Sequence, residues 1–199
     1  MLNHEYIKNI MLQEAIFSPS HGTTESFLGM GMLYYTLAYF QQAKLCVCLG
    51  SGDGFVPRLM RQAQRDVPVR DSITYLVDAD MPEAGWGGPD YFNKPDGVFR
   101  KEFDVHIVKL MTKDAIQLFR GRRIDYLHID ADHSYEHVKE DFDLYAPLSS
   151  IITLHDTDPL RSDGGVYQFL DELVARDDCQ IINFKGVGHG TAIILRSPK

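Results

Sequence analysis

Two short stretches of this chain gather acids and histidines. One is Asp130-Ala131-Asp132-His133 and the other is His155-Asp156-Thr157-Asp158. A carboxylate or imidazole held against a hydroxyl can take its proton, and several such groups together can hold a divalent ion. The same residues also suit a plainer task. Asp132 or Ser134 could cap a following helix, whose positive end favours acids. His133 and His137 stand one helical turn apart, which suits two metal ligands or an ordinary solvated face. A third stretch, Leu49-Gly50-Ser51-Gly52-Asp53-Gly54-Phe55, is of another kind. Its alternate glycines permit positive φ and close approach of a ligand to the backbone. A helix opening just after them presents unpaired N–H groups to an anion. A tight strand-to-helix connection would use the same glycines without any ligand.

Something must hold these residues in place, and hydrophobic patterning suggests what. Leu45 to Leu49, Ile73 to Val77, Val105 to Leu110, Tyr126 to Asp130 and Ile151 to His155 read as strands. Helices are expected over residues 24–41 with Thr24 as cap, over Phe55 to Gln64, from about Lys113, over Tyr135 to Tyr145, and over Gly165 to Ala175. Gln180 to Phe184 and Thr191 to Leu195, joined by the glycine-rich KGVGHG turn, read as a terminal hairpin. Alternating strands and helices predict an α/β fold: one Rossmann-like, doubly wound, mostly parallel sheet ending in an antiparallel hairpin. A single domain over 1–199 is expected, with residues 1–43 as a helical cover and 44–199 as the core. In such sheets ligands bind beyond the carboxyl ends of the strands. Gly50–Gly54, Asp78–Asp80, Thr112–Asp114, Asp130–His133 and His155–Asp158 each follow a strand, so all five would meet on one rim.

Bulk properties narrow the field. The formal net charge of -8 argues against a general nucleic-acid binder. No apolar run reaches membrane-spanning length. Three cysteines are too few and too scattered for a disulfide framework, and Cys46 and Cys48 share one face of a strand as small buried hydrophobes. A cytoplasmic location is expected. Residues 81–100 lack any period, and a loop of that length and its aromatic residues Trp86, Tyr91 and Phe92 suit either a cover over bound ligands or a surface loop.

The glycine spacing helps to choose the ligand. A dinucleotide turn has its third glycine where this chain has Phe55, which argues against an oxidoreductase. The actual spacing, G-x-G-x-G, resembles the first motif of the class I S-adenosylmethionine-dependent methyltransferases. That resemblance implies that Gly50, Ser51 and Gly52, with Gly54, line the methionine part of the cofactor. Cys48 stands where that family often carries an acid. Asp78, at the end of the second strand, is placed to accept both ribose hydroxyls. Asp114 corresponds to an acid near the adenine amino group, although it could equally cap its own helix.

The phrase IDADHSYEHVKEDFDLYAPL followed by ITLHDTD looks like the small branch that contains catechol and antibiotic-sugar O-methyltransferases. The resemblance covers about residues 44–160. It implies a metal set of Asp130, His155 and Asp156, with Asp130 also near the cofactor, and an acid–base role for Asp132, His133 or His155. Magnesium or manganese is the ion implied, although relatives offer oxygen where this chain has His155, and imidazole suits zinc, iron or nickel better. The expected activity is methylation of a small-molecule or sugar oxygen. The alternatives are a metal-dependent hydrolase using Asp130, Asp132, His133, His155 and Asp156, and a cofactor-binding protein without chemistry. A homo-oligomer is compatible with the aromatic stretch Leu28 to Phe40.

Overall fold

The computed structural model describes residues 2–67, 69–79, 96–162 and 164–196. Trp86, Tyr91, Phe92 and Asp80 lie outside them. Seven strands form one sheet: β1 (Leu45–Leu49), β2 (Ile73–Val77), β3 (His106–Val108), β4 (Ile124–Ile129), β5 (Ser149–His155), β6 (Cys179–Phe184) and β7 (Thr191–Arg196). Their spatial order is β3-β2-β1-β4-β5-β7-β6. The first five run parallel, and β7 enters antiparallel between β5 and β6. This is the predicted doubly wound sheet with its terminal hairpin.

Alternation along β1 shows how the sheet gets two faces. Every residue of LCVCL is buried. Leu45, Val47 and Leu49 join one core, with Phe119, Phe142 and Phe169 of the helices packed there. Cys46 and Cys48 point the other way and pack with Leu28, Tyr34, Phe55 and Leu59. Period-two geometry on a central strand dictates this split. Both thiols are pushed up in pKa, chiefly by burial, as befits inert core residues.

The helices fill the two faces. Short α1 (His4–Tyr6) is followed by α2 (Gly31–Phe40) and α3 (Phe55–Asp66); α4 (Val98–Glu102) and α5 (Thr112–Ala115) flank β3; α6 (Tyr135–Tyr145) and α7 (Val166–Val174) cover β4, β5 and the hairpin side. The helix expected over 24–41 begins only at Gly31, and Thr24 does not cap it. Thr24 instead pairs with Phe27 in a small bridge. Gly29 is at φ +52, a conformation that interrupts a helix. Gly31 is required where α2 crosses α3, because a Cβ there would meet the Phe55 ring at 2.8 Å and Leu59 at 2.9 Å.

After β3 the chain crosses back to the other side of β1 to lay down β4. Adjacent parallel strands β1 and β4 therefore lead their connections in opposite directions, and a crevice opens beyond their ends. No helix among the described residues is long and apolar enough to cross a membrane.

Candidate active site

The glycine turn and the acid–histidine cluster meet at that crevice. Asp130 N–H donates to Leu49 O at 2.8 Å, and Gly50 N–H donates to Val77 O at 2.8 Å. Gly50 sits at φ +70, and a Cβ there would stand 2.3 Å from Asp130 O and 2.4 Å from Ala131 Cα. Glycine is thus required by left-handed backbone and by contact with the β4 end. Ser51 Oγ is buried with no hydrogen-bond partner among the described residues. Gly52 lies under the Phe17 ring, and Gly54 under Phe99. Asp78 is half-buried at the end of β2. Asp114 is exposed inside the first turn of α5, whose cap is Met111.

The turn is held from below by its own chain. Asp53 accepts from the N–H groups of Phe55 at 2.9 Å and Phe17 at 2.6 Å. Burial pushes the Asp53 carboxyl up, against those two donors. The fully buried Arg58 donates to the carbonyls of Met11, Gln13, Asp53 and Gly54 at 2.9–3.1 Å. Burial lowers its pKa to about 10, which leaves it charged at neutral pH. These bonds lay residues 10–17 against the glycine turn.

On the other side, β4 and β5 deliver the acids and imidazoles. Asp130 follows β4, and His155 and Asp156 end β5. His155 Nδ1 lies 3.1 Å from Asp130 Oδ1 and 3.2 Å from Asp156 Oδ2. Its Nε2 donates to Ser20 O at 3.2 Å. Burial opposes charge on His155, but the two carboxylates outweigh it and hold its pKa up at about 10. Asp130 is correspondingly held well below the usual carboxylate range: burial works against its charge, and His155, His128 and His133 overcome that. His133 Nε2 stands 3.1 Å from Asp156 Oδ2 and 3.5 Å from Asp130 Oδ1. It is partly open to solvent, and the same carboxylates raise its pKa despite burial. Asp156 itself adopts φ +58, a strained choice for a residue with a side chain.

Asp132 takes a different place. Its carboxylate accepts from Ser134 N–H at 2.7 Å and faces His137 at 3.4 Å, at the opening of α6. It is not among the groups that meet at Asp130 and Asp156, and His137 stays with it.

Three members of the group lie outside the two motifs. His189, from the hairpin turn, donates to Asp156. His128 is two residues before Asp130 on the same strand face, a placement that period-two counting could have found. His21 comes from the short turn Ser18–His21, and its ring lies tilted against that of His155 with centroids 4.0 Å apart. No sequence pattern ties it to the site. Burial lowers the pKa of both His21 and His128.

The arrangement is therefore a glycine turn on one strand end, beside a carboxylate–imidazole cluster on the next two. Comparison with known proteins places this architecture. A profile of the methyltransferase-domain family matches residues 47–157, and the chain belongs to that family. The fold is that of class I S-adenosylmethionine-dependent methyltransferases. An O-methyltransferase from Bacillus cereus in complex with S-adenosylhomocysteine superposes with a TM-score of 0.68 at 14% identity, over 99% of this chain and 93% of that one. The O-methyltransferase TomG from Streptomyces achromogenes, which is involved in tomaymycin synthesis and was solved with S-adenosylmethionine, gives 0.63 at 16% identity over 100% of both chains. The methyltransferase PaMTH1 of Podospora anserina gives 0.64 at 13%, over 96% and 88%. At these identities the likeness is one of fold. In sequence, an uncharacterized protein of Sinorhizobium fredii is 27% identical over 180 residues, 85% of this chain. The chain spans 19% of the length of that relative.

Proposed function

We propose that this chain transfers the methyl group of S-adenosylmethionine to a hydroxyl oxygen of a small molecule. The observation that carries this reading is the shared wall between the two halves of the site: Gly50 abuts Asp130 and Ala131 so closely that a single Cβ would not fit. A ligand on the glycine turn would lie directly beside the carboxylate–imidazole cluster. When bound, the cofactor supplies a sulfonium methyl open to in-line displacement. The residues present suit it. Ser51 offers a buried hydroxyl without a partner among the described residues, and Asp78 offers a carboxylate at the end of β2 for the ribose. Gly50, Gly52 and Gly54 give the backbone its positive φ. Asp130 borders this turn, and Asp114 is the acid assigned to the adenine side.

His133 is the residue we assign as base. It is the imidazole that combines partial exposure with two carboxylates, and it would receive the acceptor proton while Asp130 and Asp156 stabilise the resulting imidazolium. His155 is enclosed, with its Nε2 committed to Ser20 O, so its part is to hold Asp130 and Asp156 together. Asp132 supports α6 rather than the proton transfer.

Magnesium fits poorly here. It takes oxygen ligands in octahedral geometry, whereas the groups around Asp130 are rich in imidazole nitrogen. Manganese accepts imidazole less readily than zinc, iron or nickel.

Calorimetric titration of the purified chain with S-adenosylmethionine tests the reading. One equivalent should bind, and Gly50→Ala should abolish the heat. A chain that binds no cofactor, with or without divalent ions, would sink it.

A further inference from the structure

Four ring nitrogens converge on the single carboxylate of Asp130, His133 from the more open side and three from enclosed imidazoles. His155 Nδ1 is 3.1 Å from Oδ1, while His128 Nε2 and His21 Nε2 are 3.6 and 3.8 Å from Oδ2. The donor atoms of His21, Asp130 and His155 all lie within 4.8 Å of one another. An ion bound tetrahedrally at about 2.0–2.1 Å requires neighbouring donor atoms roughly 3.3 Å apart. The separations to Asp130, 3.1–3.8 Å, are already near that size, and no pair among His21, Asp130 and His155 has to close by more than about 1.5 Å.

A second, independent feature points to a ligand. His128 Nε2 is fully buried and has no hydrogen-bond partner among the described residues; its 3.6 Å separation from Asp130 is too long for one. Unpartnered buried nitrogens are costly, and a cation beside Asp130 would satisfy this one.

The outer contacts are also those of a ligand set. Ser20 O can only accept, so the His155 N–H points there and its Nδ1 is the nitrogen turned toward Asp130. His21 Nδ1 lies 3.1 Å from the Tyr34 hydroxyl, which in turn bonds Thr191 at 2.8 Å. His128 Nδ1 meets Thr153 Oγ1 at 2.8 Å. Each imidazole thus has its far nitrogen held by an oxygen, the arrangement that fixes ring orientation and tautomer in imidazole metal sites.

We propose that His21, His155 and Asp130, with His128 beside them, bind a nitrogen-preferring transition-metal ion of the zinc class, not magnesium. The proposal rests on the reading of this crevice as the active site for its setting, but not for its test. His133 and His189 form the more exposed side of the cluster. His21 belongs to the segment ahead of the sheet, so the ion would also fasten that segment to the ends of β4 and β5.

The test uses the full chain, stripped with a chelator and titrated calorimetrically with Zn2+ and with Mg2+ separately. One Zn2+ should bind at least about 100-fold more tightly than Mg2+. His21→Ala, checked for folding by circular dichroism, should weaken Zn2+ by roughly 10- to 100-fold and leave Mg2+ unchanged. No Zn2+ binding, Mg2+ binding of equal strength, or an unchanged Zn2+ affinity in His21→Ala each overturns the proposal. Should His21→Ala not fold, the Co2+-loaded wild-type chain is read by proton NMR. Paramagnetically shifted, exchangeable N–H signals from at least two imidazoles are expected, and their absence overturns the proposal equally. S-adenosylmethionine titrated into the stripped chain separates the two readings. Cofactor binding without Zn2+ binding defeats this inference alone, and Zn2+ binding without cofactor binding defeats only the methyl-transfer reading.

Discussion

His189, in the turn of the terminal hairpin, donates from Nδ1 to Asp156 Oδ1 across 3.0 Å. The last two strands therefore do more than extend the sheet. They bring a side chain back over the end of β5, and His189 N–H donates in turn to Ser20 O at 2.6 Å. Asp156 is held on both oxygens, by His189 on one and by His133 and His155 on the other. His189→Gln should lower methyl-transfer turnover by about 10-fold or more while cofactor affinity changes by less than about 3-fold, because only the orientation of Asp156 is disturbed. Turnover equal to wild type would remove His189 from the site.

Gly50 and Gly121 make a matched pair. Both have φ above +70 or close to it, at +70 and +74, but a Cβ on Gly121 meets nothing within 4 Å. Gly121→Ala should cost only the left-handed backbone penalty, about 1–2 kcal/mol. Gly50→Ala adds a clash with Asp130 O and should cost at least about 3 kcal/mol, by the same penalty plus overpacking. Urea unfolding of both variants measures the difference, and equal losses would contradict the close contact between β1 and β4 ends.

Arg58→Met tests the attachment of residues 10–17. The guanidinium is fully buried, satisfies carbonyls from Met11, Gln13, Asp53 and Gly54, and lies 5.7–5.8 Å from the Phe99 and Phe103 ring centres. Its removal strips the guanidinium donors from those buried carbonyls, so a loss of about 3–5 kcal/mol is expected. Amide exchange at residues 10–17 should rise faster than exchange in β1. Uniform exchange across the chain would show that Arg58 supports the whole fold rather than this segment.

Asp141 supplies a pH dependence away from the site. It is buried on α6, one oxygen has no hydrogen-bond partner among the described residues, and burial pushes its pKa up to about 6. Its folded pKa exceeds the unfolded one, so the folded chain holds the proton more tightly. Stability from this group is present below about pH 4 and is lost as pH rises to about 6. Asp141→Asn stays neutral throughout. Its stability relative to wild type should therefore improve by about 2 kcal/mol between pH 4 and 7. A constant difference over that range would show that Asp141 titrates normally.

Much of this protein was legible in one dimension. LCVCL and ITYLV are short buried runs bounded by turn residues, and β1 and β2 have the limits that patterning predicts. The same holds for α6, Tyr135–Tyr145. Strand–helix alternation, with the handedness of parallel connections, is enough to bring Gly50, Asp78, Asp130 and His155 to one rim. The motif positions were readable because each follows a strand directly. The start of α2 was not: apolar content continues through residues 24–30, but Gly29 and the close crossing of α2 on α3 at Gly31 decide where the helix begins.

The five-imidazole cluster belongs to tertiary structure. His21, His128, His133, His155 and His189 come from a turn before the sheet, the interior of β4, the loop after it, the end of β5 and the hairpin turn. The strand ends announce His133 and His155, and period two announces His128, but local pattern carries no information about His21 and His189. What joins them is geometry: β4 and β5 pair in parallel register, β7 folds back beside β5, and the Ser20 carbonyl takes bonds from both His155 and His189. The sequence alone determined the sheet and the rim. Only the folding back of the first twenty-one residues and of the last hairpin decided that His21 and His189 join the nitrogens of that rim.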